Sequence, residues 1–303
     1  MKKTNGLFFA LCQTAFCYSQ TSNEFYQKGL EASSKKDYST AINYLTKAIE
    51  INHKCASCFY TMAFVHYQTS DLKSAKMDIN QAINIEPKND TLYVYRAIFE
   101  DALKDYASVL LDLDKVIEND PKYAMAYSLR GGVKLELEKY QNAIQDFNKA
   151  IEIDPTYADA FVFRGRAKSS LEDYRGAIQD FSKALELNAK DYQTYYYSGY
   201  AKNMLKDYIG AISDLNKAIQ LKSDYFEAYI NRGISKSALD DVRGALQDYN
   251  KAVEIDPNNG VAYYHRGLTK LRLNQKDSGC LDLSKAGELG ESGAYKVIQQ
   301  FCK

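Results

Sequence analysis

The chain has 303 residues, 46% of them hydrophobic and 26% charged, with 39 basic and 39 acidic side chains. That is the composition of a folded protein, and formal neutrality excludes a nucleic-acid binder driven by bulk charge, which needs surplus Lys and Arg to displace phosphate counterions. The only four prolines, at 87, 121, 155 and 257, stand 34, 34 and 102 residues apart, and 102 is three times 34, so the chain reads as a repeat array rather than a mixed α/β enzyme.

Residues 1–19 are expected to be an export signal. Met1-Lys2-Lys3 is a short positive start, and the apolar run from Gly6 to Tyr18 is too short to span a bilayer but suits a signal core. Cys17 and Ser19 put small residues where a signal peptidase inspects. An uncleaved anchor is the alternative; a lipid-anchored Cys is disfavoured because Leu11 precedes Cys12 and Phe16 precedes Cys17. Removal of 1–19 deletes two lysines and no acid, leaving 37 minus 39, or −2. No later stretch is apolar enough to cross a membrane, so the mature protein is expected to be exported, periplasmic or secreted, in a compartment that permits disulfides.

From Ser22 the sequence divides into eight gapless blocks of 34: 22–55, 56–89, 90–123, 124–157, 158–191, 192–225, 226–259 and 260–293. Position 4 of every block is aromatic, from Phe25 and Phe59 to Tyr263. Position 8 is Gly in six blocks and Ala in two (Ala63, Ala97). Position 20 is Ala in six blocks, and position 27 is Ala in seven. Positions 4, 8 and 11 share one face of a first helix, and 20, 24 and 27 one face of a second. Small residues at 8, 20 and 27 let the two backbones approach, while the side chains at 4 and 24 fill the space around them. Asp at position 16 (Asp37, Asp71, Asp105, Asp173, Asp207, Asp241) is placed to cap the second helix, and Pro at 32 to close it. Each block is therefore predicted to be helix–turn–helix.

This combination resembles the tetratricopeptide repeat family over 22–293, about nine-tenths of the chain, most closely in stretches such as AYSLRGGVKLELEKYQNAIQDFNKAIEIDP at 126–155. The resemblance implies an all-α fold: a right-handed α–α superhelix, or solenoid, with a concave groove lined by the first helices. A stack of this kind needs its last apolar face covered. Residues 292–303, with Tyr295, Ile298, Phe301 and Cys302 on one side, are the expected capping helix, for about 17 helices and no strand.

Position 7 is Arg in five blocks (Arg96, Arg130, Arg164, Arg232, Arg266), position 11 is Lys in five (Lys134, Lys168, Lys202, Lys236, Lys270), and position 23 is Asp in seven, from Asp78 to Asp282. Arg and Lys four apart repel unless a carboxylate lies between them, so we read an Arg–Asp–Lys ladder along the helix-pair interface. The rival is a strip for an anionic polymer, against which the matching Asp column counts.

In the related repeat proteins the groove is reached from positions 2, 5, 9, 12 and 13. The resemblance thus implies a binding set of Tyr26, Tyr60, Phe64, Tyr67, Ile98, Arg166, Tyr196, Tyr200, Asn203, Tyr264 and Arg272, with Tyr195-Tyr196-Tyr197 and Tyr200 the densest aromatic patch. Tyrosine offers a rigid face and a hydroxyl at little rotamer cost, which suits protein or peptide contacts. The alternative is that these rings pack against the adjacent block. The Lys/Asn/Arg clamp by which some family members hold chaperone tails is missing: Tyr26, Leu30, Tyr60, Phe64, Val94 and Ile98 stand at its places.

Four cysteines follow the signal. Cys55 and Cys58 flank the start of a first helix, open to a local disulfide or inert thiols, a metal site with His53 and His66, or a redox pair; Cys280 and Cys302 are candidates to pin the cap. No nucleophile–base set or phosphate loop appears, and no cofactor or metal is called for. The expected function is a non-enzymatic scaffold for a protein or peptide partner, with no nucleic acid; a thiol–disulfide or metal protein using Cys55 and Cys58 is the alternative, and self-assembly through the array ends a third.

Overall fold

The computed structural model describes residues 21–302. The expected export signal lies outside them. The described residues form 17 α-helices and no strand. The first helices of the blocks are α1 (residues 21–34), α3 (Ala56–Gln68), α5 (Asp90–Ala102), α7 (Ala124–Glu136), α9 (Ala158–Ser170), α11 (Tyr192–Met204), α13 (Phe226–Ala238) and α15 (Gly260–Arg272). The second helices are α2 (Tyr38–Ile51), α4 (Leu72–Ile85), α6 (Tyr106–Asn119), α8 (Tyr140–Ile153), α10 (Tyr174–Leu187), α12 (Tyr208–Leu221), α14 (Val242–Ile255) and α16 (Lys276–Glu288). A last helix, α17, covers Gly293–Phe301. None of these helices is long and apolar enough to cross a membrane.

The chain falls into two compact units divided between Val133 and Lys134. In the first, α3 packs on α4 and α5 on α6, and α4 also packs on α5. In the second, α9–α10, α11–α12, α13–α14 and α15–α16 are the hairpins. Each second helix there packs on the next first helix, and the first helices α9, α11, α13 and α15 touch in succession.

Six second helices start at the expected aspartate. Asp37, Asp71, Asp105, Asp173, Asp207 and Asp241 each accept the backbone N–H three residues on, at 2.9 to 3.3 Å. The same residues finish the preceding helix: the Asp37 N–H returns to Ala32 O and the Asp173 N–H to Lys168 O, both at 2.9 Å. This six-to-one bond needs a left-handed residue just before it. The structure puts one in every block, Lys36, Ser70, Lys104, Glu138, Glu172, Lys206, Asp240 and Asn274, with φ between 58° and 66°. None is glycine, so each turn carries a steric cost that the paired caps offset.

The core follows the small-residue columns. The position-24 side chains, among them Leu45, Ile79, Phe147, Phe181 and Tyr249, are completely buried or nearly so. A methyl group added at Gly165 would lie 2.6 Å from the Phe181 ring, and one at Gly233 2.6 Å from Tyr249. Where the block carries Ala63 or Ala97 instead, position 24 is aliphatic, Ile79 or Leu113. Gly165→Ala is therefore expected to lose about 1–2 kcal/mol in denaturant titration although alanine is the better helix former, because a rigid ring cannot step aside.

The cap departs from expectation in its rotation. Ala294 is its buried residue, and Val297, Ile298 and Cys302 pack with it against Leu283 and Ala286. Tyr295 and Phe301, expected on the buried side, are about half exposed, at 53% and 50%. Ala294, Ile298 and Cys302 recur every four residues, and the bond from Cys302 to Cys280 turns that stripe inward.

Candidate functional site

The charged columns meet in pairs. Nε and Nη2 of Arg96 donate to Asp112 at 2.7 and 2.6 Å, and Arg164, Arg232 and Arg266 hold Asp180, Asp248 and Asp282 in the same two-pronged way. Lys168, Lys236 and Lys270 reach the same carboxylates from the next turn at 2.7 to 2.8 Å. Lys134 pairs with Asp146, and Lys202 with Asp214, at 2.6 Å. Each guanidinium also lies over the position-4 ring of its own block, 5.4 Å from Tyr93 and 4.9 Å from Tyr263.

A third partner escaped the sequence reading. Nη1 of Arg96, Arg164, Arg232 and Arg266 donates to Asn80, Asn148, Asn216 and Asn250, and that of Arg130 to Asp114. These acceptors occupy position 25 of the preceding block. Where position 25 is Ser182, the following position 7 is Ser198, which hydrogen-bonds Asp214 instead; where it is Thr46, the following residue is the buried Met62. The signal was present as a covarying pair of columns one block apart.

Blocks two and three alter the ladder. His66 replaces Lys at position 11 and shares a 2.7 Å hydrogen bond with Asp78, whose carboxyl is pushed above the usual range by burial while His66 pulls it down. In block three the residue is Glu100, wholly buried, with Oε1 3.0 Å from Lys76 and Oε2 lacking any hydrogen-bond partner. Burial pushes the Glu100 carboxyl up, Lys76 opposes this, and Asp112 adds to it. The unfolded chain releases this proton at an ordinary carboxylate pH, so at neutral pH ionised Glu100 costs stability, and the cost disappears as pH falls through its folded value. Glu100→Gln is expected to raise the denaturant midpoint at pH 7, by about 1 kcal/mol, with the gain shrinking as pH approaches about 4. Lys76 also reaches Asp105, at 3.4 Å, so Glu100 is not its sole partner.

The residues assigned to the groove separate into three groups. In the first unit Tyr60 meets Tyr95 edge-on at 4.8 Å and Tyr67 stacks on Phe99 at 4.9 Å. Burial, then a hydrogen bond with Tyr95, raises the Tyr60 hydroxyl well above its ordinary pKa. Tyr26 and Ile98 are half-buried against neighbouring core clusters, and Phe64 is exposed. Asn203 and Arg272 form ties between repeats rather than open binding groups. Asn203 donates to Asn231 O at 3.1 Å and accepts from Ser235 at 2.6 Å, and Arg272 spans from α15 to Ser237 and Asp240 at the end of α13. Tyr264 lies edge-on to His265 and packs on the last core cluster.

Arg166, Tyr196 and Tyr200 come together. With Ser169, Ser170, Phe181 and Tyr197 they line a cleft of about 240 Å³ on the α9–α11 side of the second unit. Arg166 is held over the Phe163 and Tyr197 rings at 5.6 and 5.4 Å, with the half-exposed Glu136 carboxylate 3.8 Å away. Tyr196 packs edge-on against Tyr225 at 5.1 Å, and burial pushes its hydroxyl up to about 12, so it remains a proton donor at neutral pH. Ser169 Oγ is buried with no hydrogen-bond partner. The supporting rings Phe163 and, in the first unit, Tyr95 sit at position 6, which the sequence reading did not assign to this face; Tyr197, at the same position, was already part of the aromatic patch.

The four cysteines among the described residues are bonded, Cys55 to Cys58 and Cys280 to Cys302, with Cα separations of 5.2 and 5.8 Å. Both thiols are engaged in the bond and His66 is on Asp78, and among the described residues no cluster of three metal-ligating side chains occurs.

Tetratricopeptide repeat family models match residues 124–157 and, by a second model, 25–55, 158–191 and 226–259. No curated relative matches the sequence. Among solved structures, a tetratricopeptide repeat protein from Parabacteroides merdae is 21% identical with a TM-score of 0.64, over 82% of this chain and 99% of its own. YrrB, described as a TPR protein with an unusual peptide-binding site, is 23% identical with a TM-score of 0.53, over 62% of this chain and 97% of its own. A chain of the APC/C hetero-tetramer Cut9–Hcn1 is 13% identical with a TM-score of 0.67, over 88% of this chain and 53% of its own. With eight 34-residue blocks, capped hairpins and this shared fold, the chain belongs to the tetratricopeptide repeat family.

Proposed function

We propose that this protein is an exported scaffold that binds an extended peptide or protein segment on the face of its first helices. The observation that carries the reading is the cleft of Arg166, Tyr196 and Tyr200. Its rings and guanidinium are oriented by neighbouring side chains, as a site needs if it is not to spend binding energy on ordering itself. Guanidinium and phenol hydroxyls suit the backbone carbonyls and acidic side chains of a peptide, and the ring faces suit its apolar ones. The peptide-binding site of the structural relative YrrB supports the same use of the fold. Two disulfides and a signal-like start support an oxidising compartment.

A photoreactive residue at Tyr200, with another at exposed Gln179 on α10 as control, tests this in cells. A discrete crosslinked protein from position 200 and not from 179, lost on Arg166→Ala with the helical spectrum unchanged, is the expected result. Equal labelling from both positions overturns the reading.

A further inference from the structure

Cys55 and Cys58 are joined where the chain needs no staple. Cys55 is the N-cap of α3, and the backbone already closes this turn, with the Cys58 and Phe59 N–H groups donating to Cys55 O at 3.1 and 3.3 Å. A bond spanning three residues inside a closed turn restricts the unfolded chain little, unlike the Cys280–Cys302 bond, which spans 22 and ties α16 to α17. The two sulfurs are also unequal. Cys55 is partly exposed and its Sγ accepts the Cys58 N–H at 3.2 Å, with Ser57 Oγ at 3.4 Å; Cys58 is fully buried. An N-cap sulfur that receives an amide N–H at the positive end of a helix is arranged to carry negative charge.

We propose that Cys55–Cys58 is an exchangeable disulfide that oxidises dithiols of a protein or peptide client. A client thiolate attacks Cys55 Sγ, the Cys55–Cys58 bond breaks, and Cys58 leaves as a thiolate that takes up the proton the client lost. The client's second thiolate then attacks its own sulfur in the mixed disulfide and expels Cys55 as a thiolate, which the Cys58 N–H and the helix start stabilise. The client loses two electrons and becomes a disulfide, and the Cys55–Cys58 pair gains them. Stabilising the reduced pair in this way favours the forward direction. This activity does not depend on the Arg166 cleft.

The test uses the full mature chain, oxidised, in glutathione buffers of graded ratio, with acid quenching, alkylation and peptide mass mapping. The expected result is loss of the Cys55–Cys58 bond under conditions that leave Cys280–Cys302 intact, together with conversion of a reduced dithiol peptide to its disulfide. In Cys58→Ser the Cys55 thiolate is expected to displace one half of oxidised glutathione and to accumulate as the Cys55–glutathione mixed disulfide, with the other half leaving as the thiolate, and the reduced variant's lone thiol is expected to alkylate at a lower pH than a free cysteine. If both disulfides resist equally while the fold persists, or if the dithiol peptide stays reduced, the proposal fails. Alkylation of Cys55 only at the pH of an ordinary thiol overturns it as well.

Discussion

Asp248→Ala is expected to lower stability by about 3–5 kcal/mol, the largest effect of any single substitution considered. The carboxylate is almost wholly buried and accepts from Arg232 Nε and Nη2 and from Lys236 Nζ. Its removal leaves two cations one turn apart, Arg232 with only Asn216 to receive it and Lys236 with nothing in its place. The cost is that of stranded charge rather than of a lost attraction. A triple replacement, Arg232→Met with Lys236→Met and Asp248→Leu, is therefore expected to recover most of the loss. Repeat arrays can unfold in sections, so amide hydrogen exchange in α13 and α14 is the suitable measurement alongside the denaturant midpoint. A loss below about 1 kcal/mol would mean that water screens the pair as it does an exposed one.

Cys280→Ser with Cys302→Ser comes next, at about 3 kcal/mol, from the loop that the bond closes in the unfolded chain. Little else anchors α17: one buried alanine, two partly buried aliphatics, the half-exposed Tyr295 ring against Gly287 and the tether itself. Its release uncovers Leu283 and Ala286, which are fully buried in the intact protein. Limited proteolysis near residues 289–292 and the thermal midpoint both report the change. Unchanged protection of that segment would show that packing alone retains the cap.

What the amino-acid order revealed, and what it concealed, follows from the distance over which each interaction acts. The 34-residue period, the Asp caps at position 16 and the small-residue seam filled from position 24 belong to one hairpin each, and all are legible as columns. The left-handed residues at position 15 are not, because Lys36, Glu138 and Lys206 carry no glycine-like mark; the six-to-one bond on either side imposes their conformation. Contacts between blocks were harder still. Position 25 carries no mark of its role within its own block, because its partner is the arginine of the next one, as where Arg164 donates to Asn148. Asn203 and Arg272 were assigned to the groove by their positions in the block, and the structure ties them to Ser235, Asn231 and Asp240 of the next or preceding block. Tyr295 and Phe301 were misjudged for a different reason, since a nine-residue helix has no second hairpin to fix its rotation and a covalent bond decides it.

The handshake between position 7 and the previous position 25 sets a grammar for recombination. A duplicated copy of block seven would meet itself correctly, since Asn250 presents to an incoming arginine what Asn216 presents to Arg232. A graft placing an arginine-bearing block directly after Ser182 would strand a guanidinium against a hydroxyl, just as the present block six avoids doing by carrying Ser198. Gene duplication in such a chain is thus free at some junctions and penalised at others, and the order of the repeats becomes a heritable trait protected by physics.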